Sequence, residues 1–359
     1  MNFSRLWTIA RLELLQRVRT VAWYVLLGIF AALLVGVTAL AFLSYGAIGG
    51  EIGPGVYSTV VYITLLLVVL VSPTLSGNSI NGDRDAATLA PVQVTLATTG
   101  EILLGKFLAA WITGLAFALV ALPFLVIATL SGGVDAATVA VSLAVLVAET
   151  GVIAAIGVAL SGVLARPLFS VAATYLVVAA LTIGSVIGFG LVGASITTEM
   201  ESRYRSAEYT DDGPRCREGV ETCWESPEDM LCDEWQVETH RAPRFDTVWW
   251  MLAANPFVIL ADATPTQFDA NGNPKDAFGY LKVGVRQAQI PPDPVVEYDE
   301  CAPSSASDFD SPKEILAKTV PSWFVGLGAQ ILLAAALLAW AHRRTRTPAR
   351  ALPPGTRIA

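Results

Sequence analysis

Six apolar runs, each long enough to cross a bilayer, dominate this sequence: residues 21–45, 56–76, 102–130, 137–164, 168–196 and 321–341. A helix needs roughly 20 apolar residues to traverse the ~30 Å hydrocarbon layer. Inside that layer each backbone N–H and C=O must be paired, and a helix does so within its own segment. The runs therefore predict an all-α integral membrane protein with six transmembrane helices. Composition agrees, since 54% of residues are apolar and only 15% charged, outside the range of soluble domains. Polar sequence precedes the first run and no cleavage pattern follows it, so it is expected to be a retained span rather than a signal peptide.

Charge sets the expected orientation. The segment 197–320 holds 24 of the 31 acidic residues and 11 of the 23 basic ones. With six spans, the other 12 basic residues, including Arg17, Arg84, Lys106, Arg166 and Arg343, fall on one side. The positive-inside rule makes that side cytoplasmic. Both termini, the 77–101 loop and the turn at Arg166 are then expected inside a plasma membrane, and the short loops at Glu51 and Asp135 and the acidic segment outside.

All four cysteines, Cys216, Cys223, Cys232 and Cys301, lie in the segment expected outside. An even set in an oxidising compartment predicts two disulfides. Zinc is the competing use, but the spacings contain no C-x-x-C pair and no metal site is expected. The chain divides accordingly into an interfacial helix (1–20), spans one to five with their loop (21–196), a loop-rich extracytoplasmic domain (197–319), a sixth span (320–342) and a basic tail (343–359). In residues 1–20, Phe3, Trp7, Ala10, Leu14 and Val18 form one stripe opposite Arg5, Gln16 and Arg19, the pattern of a helix lying in the headgroup layer. The apolar island 248–261 contains Pro256 and is too short to cross, so it is expected to rest on or dip into the outer leaflet.

Three motif matches fail on chemistry. Gly100 to Phe107 approximates a phosphate-binding loop, but Phe107 replaces the hydroxyl that would hold magnesium. Leu130 to Gly133 spells LSGG on the face expected outside, where it is a turn. Asp269, Asn271 and Asn273 begin like a calcium loop, yet Pro274 and Tyr280 occupy its glycine and bidentate-glutamate positions. Only two histidines exist, His240 and His342, and no nucleophile–base set can be drawn. Neither a catalytic activity nor a nucleic-acid partner is expected.

The polar interruption between the second and third runs carries a resemblance. Asp83 and Arg84, then Thr88 and Leu89, then Pro91, then Glu101, Gly105 and Lys106 at the head of the third run resemble the ABC-2 type permeases of ABC transporters. The six spans, the amphipathic N-terminal helix and the Asn255-Pro256-Phe257 island extend the likeness over most of 1–200 and 245–345. The family usually has Glu at the Asp83 position and a shorter outer loop. The resemblance implies an exporter permease with no cofactor of its own, working as a homodimer or heterodimer beside separate ATPase subunits that bind ATP and magnesium. The eight residues would form the coupling site, with Asp83 and Arg84 pairing with a partner's surface.

Glu149 is the one ionisable residue deep inside a run, where a charge costs at least ~2.5 kcal/mol. It is expected either to fix packing as a protonated carboxyl or to face a pathway or dimer seam. Two other readings of the chain are a membrane anchor displaying the external domain and a secondary transporter. The latter would show internal repeats and several buried ionisable groups.

Overall fold

The structure, a computed structural model, describes residues 2–48, 51–86, 97–210, 213–218, 220, 223, 226, 229–302 and 310–345. It is mostly helical. In chain order come α1 (Phe3–Val18), α2 (Val21–Ile48), α3 (Ile52–Ser76), the short α4 (Asn81–Asp85), α5 (Thr99–Leu130), α6 (Ala136–Val163), α7 (Pro167–Ala179) and α8 (Ser185–Ser195). Further along come α9 (Pro256–Ala263), α10 (Ala277–Gln287), α11 (Pro312–Lys318) and α12 (Trp323–Thr345). Among the described residues six helices are long and apolar enough to span a membrane: Val21–Ala47, Ile52–Asp85, Thr99–Leu130, Ala136–Val163, Pro167–Ser195 and Trp323–Thr345. Their outer faces expose Leu40, Leu43, Leu119, Leu176, Leu191 and Leu332. That much unpartnered apolar surface suits lipid rather than water.

The chain forms two compact units. The first, helical unit comprises Met1–Val186, Leu252–Lys282 and Pro321–Ala359, and the second Ile187–Met251 and Val283–Val320. In the helical unit α3 and α6 are innermost, buried along much of their length. The C-terminal half of α6 is rich in Gly, Ala and Ser, which lets neighbouring backbones close in. A Cβ on Gly157 would stand 1.9 Å from Ser76 Oγ. The largest apolar cluster joins α2, α3, α5 and α6 through Phe30, Leu34, Val60, Leu65, Phe117, Leu146 and Ile153.

Residues 252–261 of the island pack among the helices, while Trp250 stays exposed. Val258, Ile259, Leu260 and Ala261 are at most 3% exposed, and a Cβ on Gly326 of α12 would meet Ala253 O at 1.7 Å. Asn255 caps α9 by accepting from Phe257 N at 2.9 Å, while its Nδ2 donates to Thr182 O at 2.8 Å and Ser185 Oγ at 3.0 Å. Thr182 lies in Ala180–Gly184, a π-helical insertion between α7 and α8. Such a bulge shifts the helical hydrogen-bond register, and Thr182 O accepts from both Asn255 Nδ2 and, at 3.0 Å, Ser185 Oγ. Asp262 Oδ2 accepts from Ser322 N at 2.6 Å and Trp323 N at 3.0 Å, capping the start of α12 from another segment.

The second unit, expected to be loop-rich, contains strands, so the all-α class does not hold for the whole chain. A three-stranded sheet is ordered β4-β1-β5, from β1 (Thr197–Arg205), β4 (Gln236–Pro243) and β5 (Val295–Asp299), beside a ribbon of β2 (Tyr209–Thr210) and β3 (Gly213–Pro214). Strand β1 runs antiparallel to β4, with Thr197 opposite Pro243, and parallel to β5, with Arg205 opposite Asp299. Charged residues interrupt each strand's apolar alternation, so the pattern reads as loop. Ion pairs replace apolar contacts across the sheet: Arg203 Nη1 lies 3.2 Å from Glu297, and Arg205 Nε 2.9 Å from Asp299 Oδ1. Both expected disulfides are present, Cys216–Cys223 and Cys232–Cys301. They cluster with Ala207 and Met230.

Candidate functional site

At one end of the helical unit, polar side chains stitch α1, α4, α5, α6 and α12 together. Thr98 and Glu101 form a capping box at the head of α5: Glu101 N donates to Thr98 Oγ1 at 3.3 Å and Thr98 N to Glu101 Oε2 at 2.9 Å. Oε1 of the same carboxylate accepts from Asn2 N at 2.6 Å, so one buried side chain holds the starts of two helices. A Cβ on Gly105 would stand 2.9 Å from Ile9 Cβ and 3.1 Å from Leu6 O. Glycine is what allows α1 to lie this close to α5.

Lys106 completes the contact. Its ammonium, 3% exposed, pairs with Glu13 of α1 and, at 2.7 Å, with Asp83 of α4. Arg17, one turn beyond Glu13, donates through Nη2 to Leu75 O at 2.8 Å. Burial pulls the Arg17 guanidinium below its usual range, opposed by the Glu13 charge. Two acids and two bases thus lie where four segments converge; the charges of Glu13 and Asp83 offset the desolvation of Lys106, whereas for Arg17 burial outweighs the Glu13 charge.

Arg84 points the other way. Its Nη2 donates to Gly162 O at 3.0 Å and its Nη1 to Leu164 O at 3.2 Å and Asn81 Oδ1 at 3.1 Å. A cation therefore sits on the carbonyls that end α6, where the helix dipole favours it. Ser161 Oγ accepts from Ile80 N at 2.9 Å and Asn81 N at 3.1 Å, and Asn81 Nδ2 donates to Ser170 Oγ at 3.0 Å. The segment 77–86 is sewn onto the ends of α6 and α7.

Of the eight residues singled out in the sequence, Asp83, Glu101, Gly105 and Lys106 meet against α1, and Arg84 lies against the end of α6. Asp83 and Arg84, expected to pair with a partner's surface, both make contacts within the chain, Asp83 with Lys106 and Arg84 with Asn81, Gly162 and Leu164. Thr88, Leu89 and Pro91 lie outside the described residues. Sequence reasoning missed Glu13, Arg17 and Asn81. The signal was a second stripe on α1, Leu6, Ile9, Ala10, Glu13 and Arg17, which faces inward while Phe3, Trp7 and Val18 stay exposed. A stripe that includes a Glu and an Arg does not register as apolar. Glu149 is fully buried on α6. Among the described residues there is no cluster of His, Cys, Asp and Glu fit for a metal. Neither a scan of protein-family models nor a search of curated proteins returns a match to this chain.

Proposed function

We propose that this chain is the permease subunit of an ATP-driven ABC-2 type exporter, with its junction at Lys106 as the device that takes up motion from a separate ATPase. The observation that best supports this is the buried contact of Lys106 with both Glu13 and Asp83. It makes α1, α4 and the head of α5 one mechanical piece at the membrane end expected to be cytoplasmic. A permease without a nucleotide site needs such a piece, because a rigid-body shift delivered to a rigid lever passes into the spans. In this reading α1 lies in the inner interface with Phe3, Trp7 and Val18 toward lipid, both termini are cytoplasmic, and the disulfide-tied unit is outside. ATP and magnesium belong to the partner. A second permease copy or a related chain completes the pathway.

Reconstitution tests it. If a P-loop ATPase is encoded beside its gene, the chain purified with that ATPase should move a solute in proteoliposomes only with hydrolysable ATP. Copurification of that ATPase should also be lost with Gly105→Val, which pushes α1 away. A chain that isolates without an ATPase and still displays its disulfide-tied unit normally would favour the anchor reading instead.

A further inference from the structure

The seam between α6 and α12 holds polar oxygens with no donor to serve them. Neither carboxyl oxygen of Glu149 has a hydrogen-bond partner among the described residues, nor does Oε1 of Gln330, which is 2% exposed. One of the two N–H groups of the Gln330 amide donates to Ala254 O, at 2.9 Å, which fixes the amide plane. The register of the two helices sets Glu149 and Gln330 at one level. Gly162 lies against Ala341 and Thr345, and Val152 and Ile156 share an apolar cluster with Ala334. The helices therefore run side by side in the same direction. One turn back from Val152 is Glu149, and one turn back from Ala334 is Gln330, so both sit on the continuation of the same seam.

No cation stands at that depth. Among the elements packed on α6, α3 offers only Tyr57 and Tyr62, α7 only Tyr175, and α9 only Asp262, which is committed to the head of α12. Glu101 and Lys106 of α5 are in its first turns, tied to Asn2, Thr98, Glu13 and Asp83. His342, Arg343 and Arg344 are in the last turn of α12, level with Gly162 and so about 20 Å along the helix from Glu149. The nearby donors are also spent: Thr150 Oγ1 on Leu146 O at 2.7 Å and Trp111 Nε1 on Val147 O at 3.0 Å.

We propose that Glu149 is a proton-binding site whose neutral carboxyl donates its O–H across the seam to Oε1 of Gln330. One proton satisfies an oxygen on each helix and removes a charge that nothing in the seam would offset. Releasing it requires water to reach the seam, so α6–α12 separation and proton release are linked. This inference uses the helical unit alone and does not depend on the transport reading.

Infrared spectroscopy of the full chain, carrying 13C-labelled glutamate and reconstituted in nanodiscs, tests it without any activity. One protonated glutamic acid C=O band should be present at neutral pH, absent in E149Q, and moved to higher wavenumber in Q330M, where the acceptor is gone. Ionisation of every glutamate at neutral pH in the unmutated protein would overturn the proton site, and a band unmoved by Q330M would overturn the Gln330 contact. Loss of the band on adding sodium at constant pH would mark a metal-cation site and also overturn the proposal.

Discussion

Lys106 decides more at the residue scale than its position in a motif suggests. Lys106→Met keeps the stem length but removes the cation that Glu13 and Asp83 share. Asp83 retains water on one side, at 32% exposed, so the cost is set below that of a fully buried pair, at about 2 kcal/mol. Thermal unfolding in detergent should show the loss, and adding Glu13→Gln should restore part of it by removing one orphaned charge. If the double variant is less stable than Lys106→Met, the three groups do not act as a unit. Asp83→Lys with Arg84→Glu is expected to lower stability as well as function, since it would place a second cation beside Lys106 and an anion on the carbonyls that end α6.

At the scale of elements, the island and the last span depend on single polar side chains. Asn255→Ala removes the cap of α9 and one of the donors to Thr182 O, an expected loss of about 2 kcal/mol. Hydrogen exchange should rise first in Ala180–Gly184, and unchanged exchange there would separate the π insertion from Asn255. Asp262→Ala strips the acceptor from Ser322 N and Trp323 N at the head of α12, whereas Asp262→Asn keeps an oxygen in place. The alanine variant should therefore lose clearly more thermal stability than the asparagine one, both measured in the same detergent. Helix α1 is similarly conditional: its inward stripe is held through Gly105, and Gly105→Val should make residues 3–18 protease-sensitive while the spans stay intact.

For the whole molecule, orientation and acid response can be tested separately. All four cysteines are disulfide-bonded, so an introduced cysteine is the lone thiol. In intact cells Ser131→Cys should react with an impermeant reagent and Ala86→Cys should not, and the reverse result would invert the proposed topology. In the second unit, hydrogen bonds from Arg205 and Arg244 hold the Asp299 and Asp246 carboxyls below the usual range. Their folded pKa values lie below the unfolded ones, so this stability is complete above about pH 4 and fades as pH falls further. Near-UV circular dichroism of the second unit should therefore weaken on acidification below that point, and less so in Asp299→Asn. Reduction of Cys232–Cys301, which closes a loop of 69 residues, should cost about 4 kcal/mol. The six spans were legible because covering a backbone in lipid demands length and apolarity, both written locally in the chain. The cysteine pair count was legible for a similar reason, since it needs no geometry. Tertiary structure alone decided that Lys106 turns inward to Glu13, that Asn255 serves a carbonyl 73 residues away, and that residues 252–261 pack among the helices. It also decided that charged strands pair into a sheet and that Glu149 is fully buried with neither carboxyl oxygen hydrogen-bonded. Each depends on distant groups whose individual residue types are ordinary, and only packing decides which of them come within hydrogen-bonding reach.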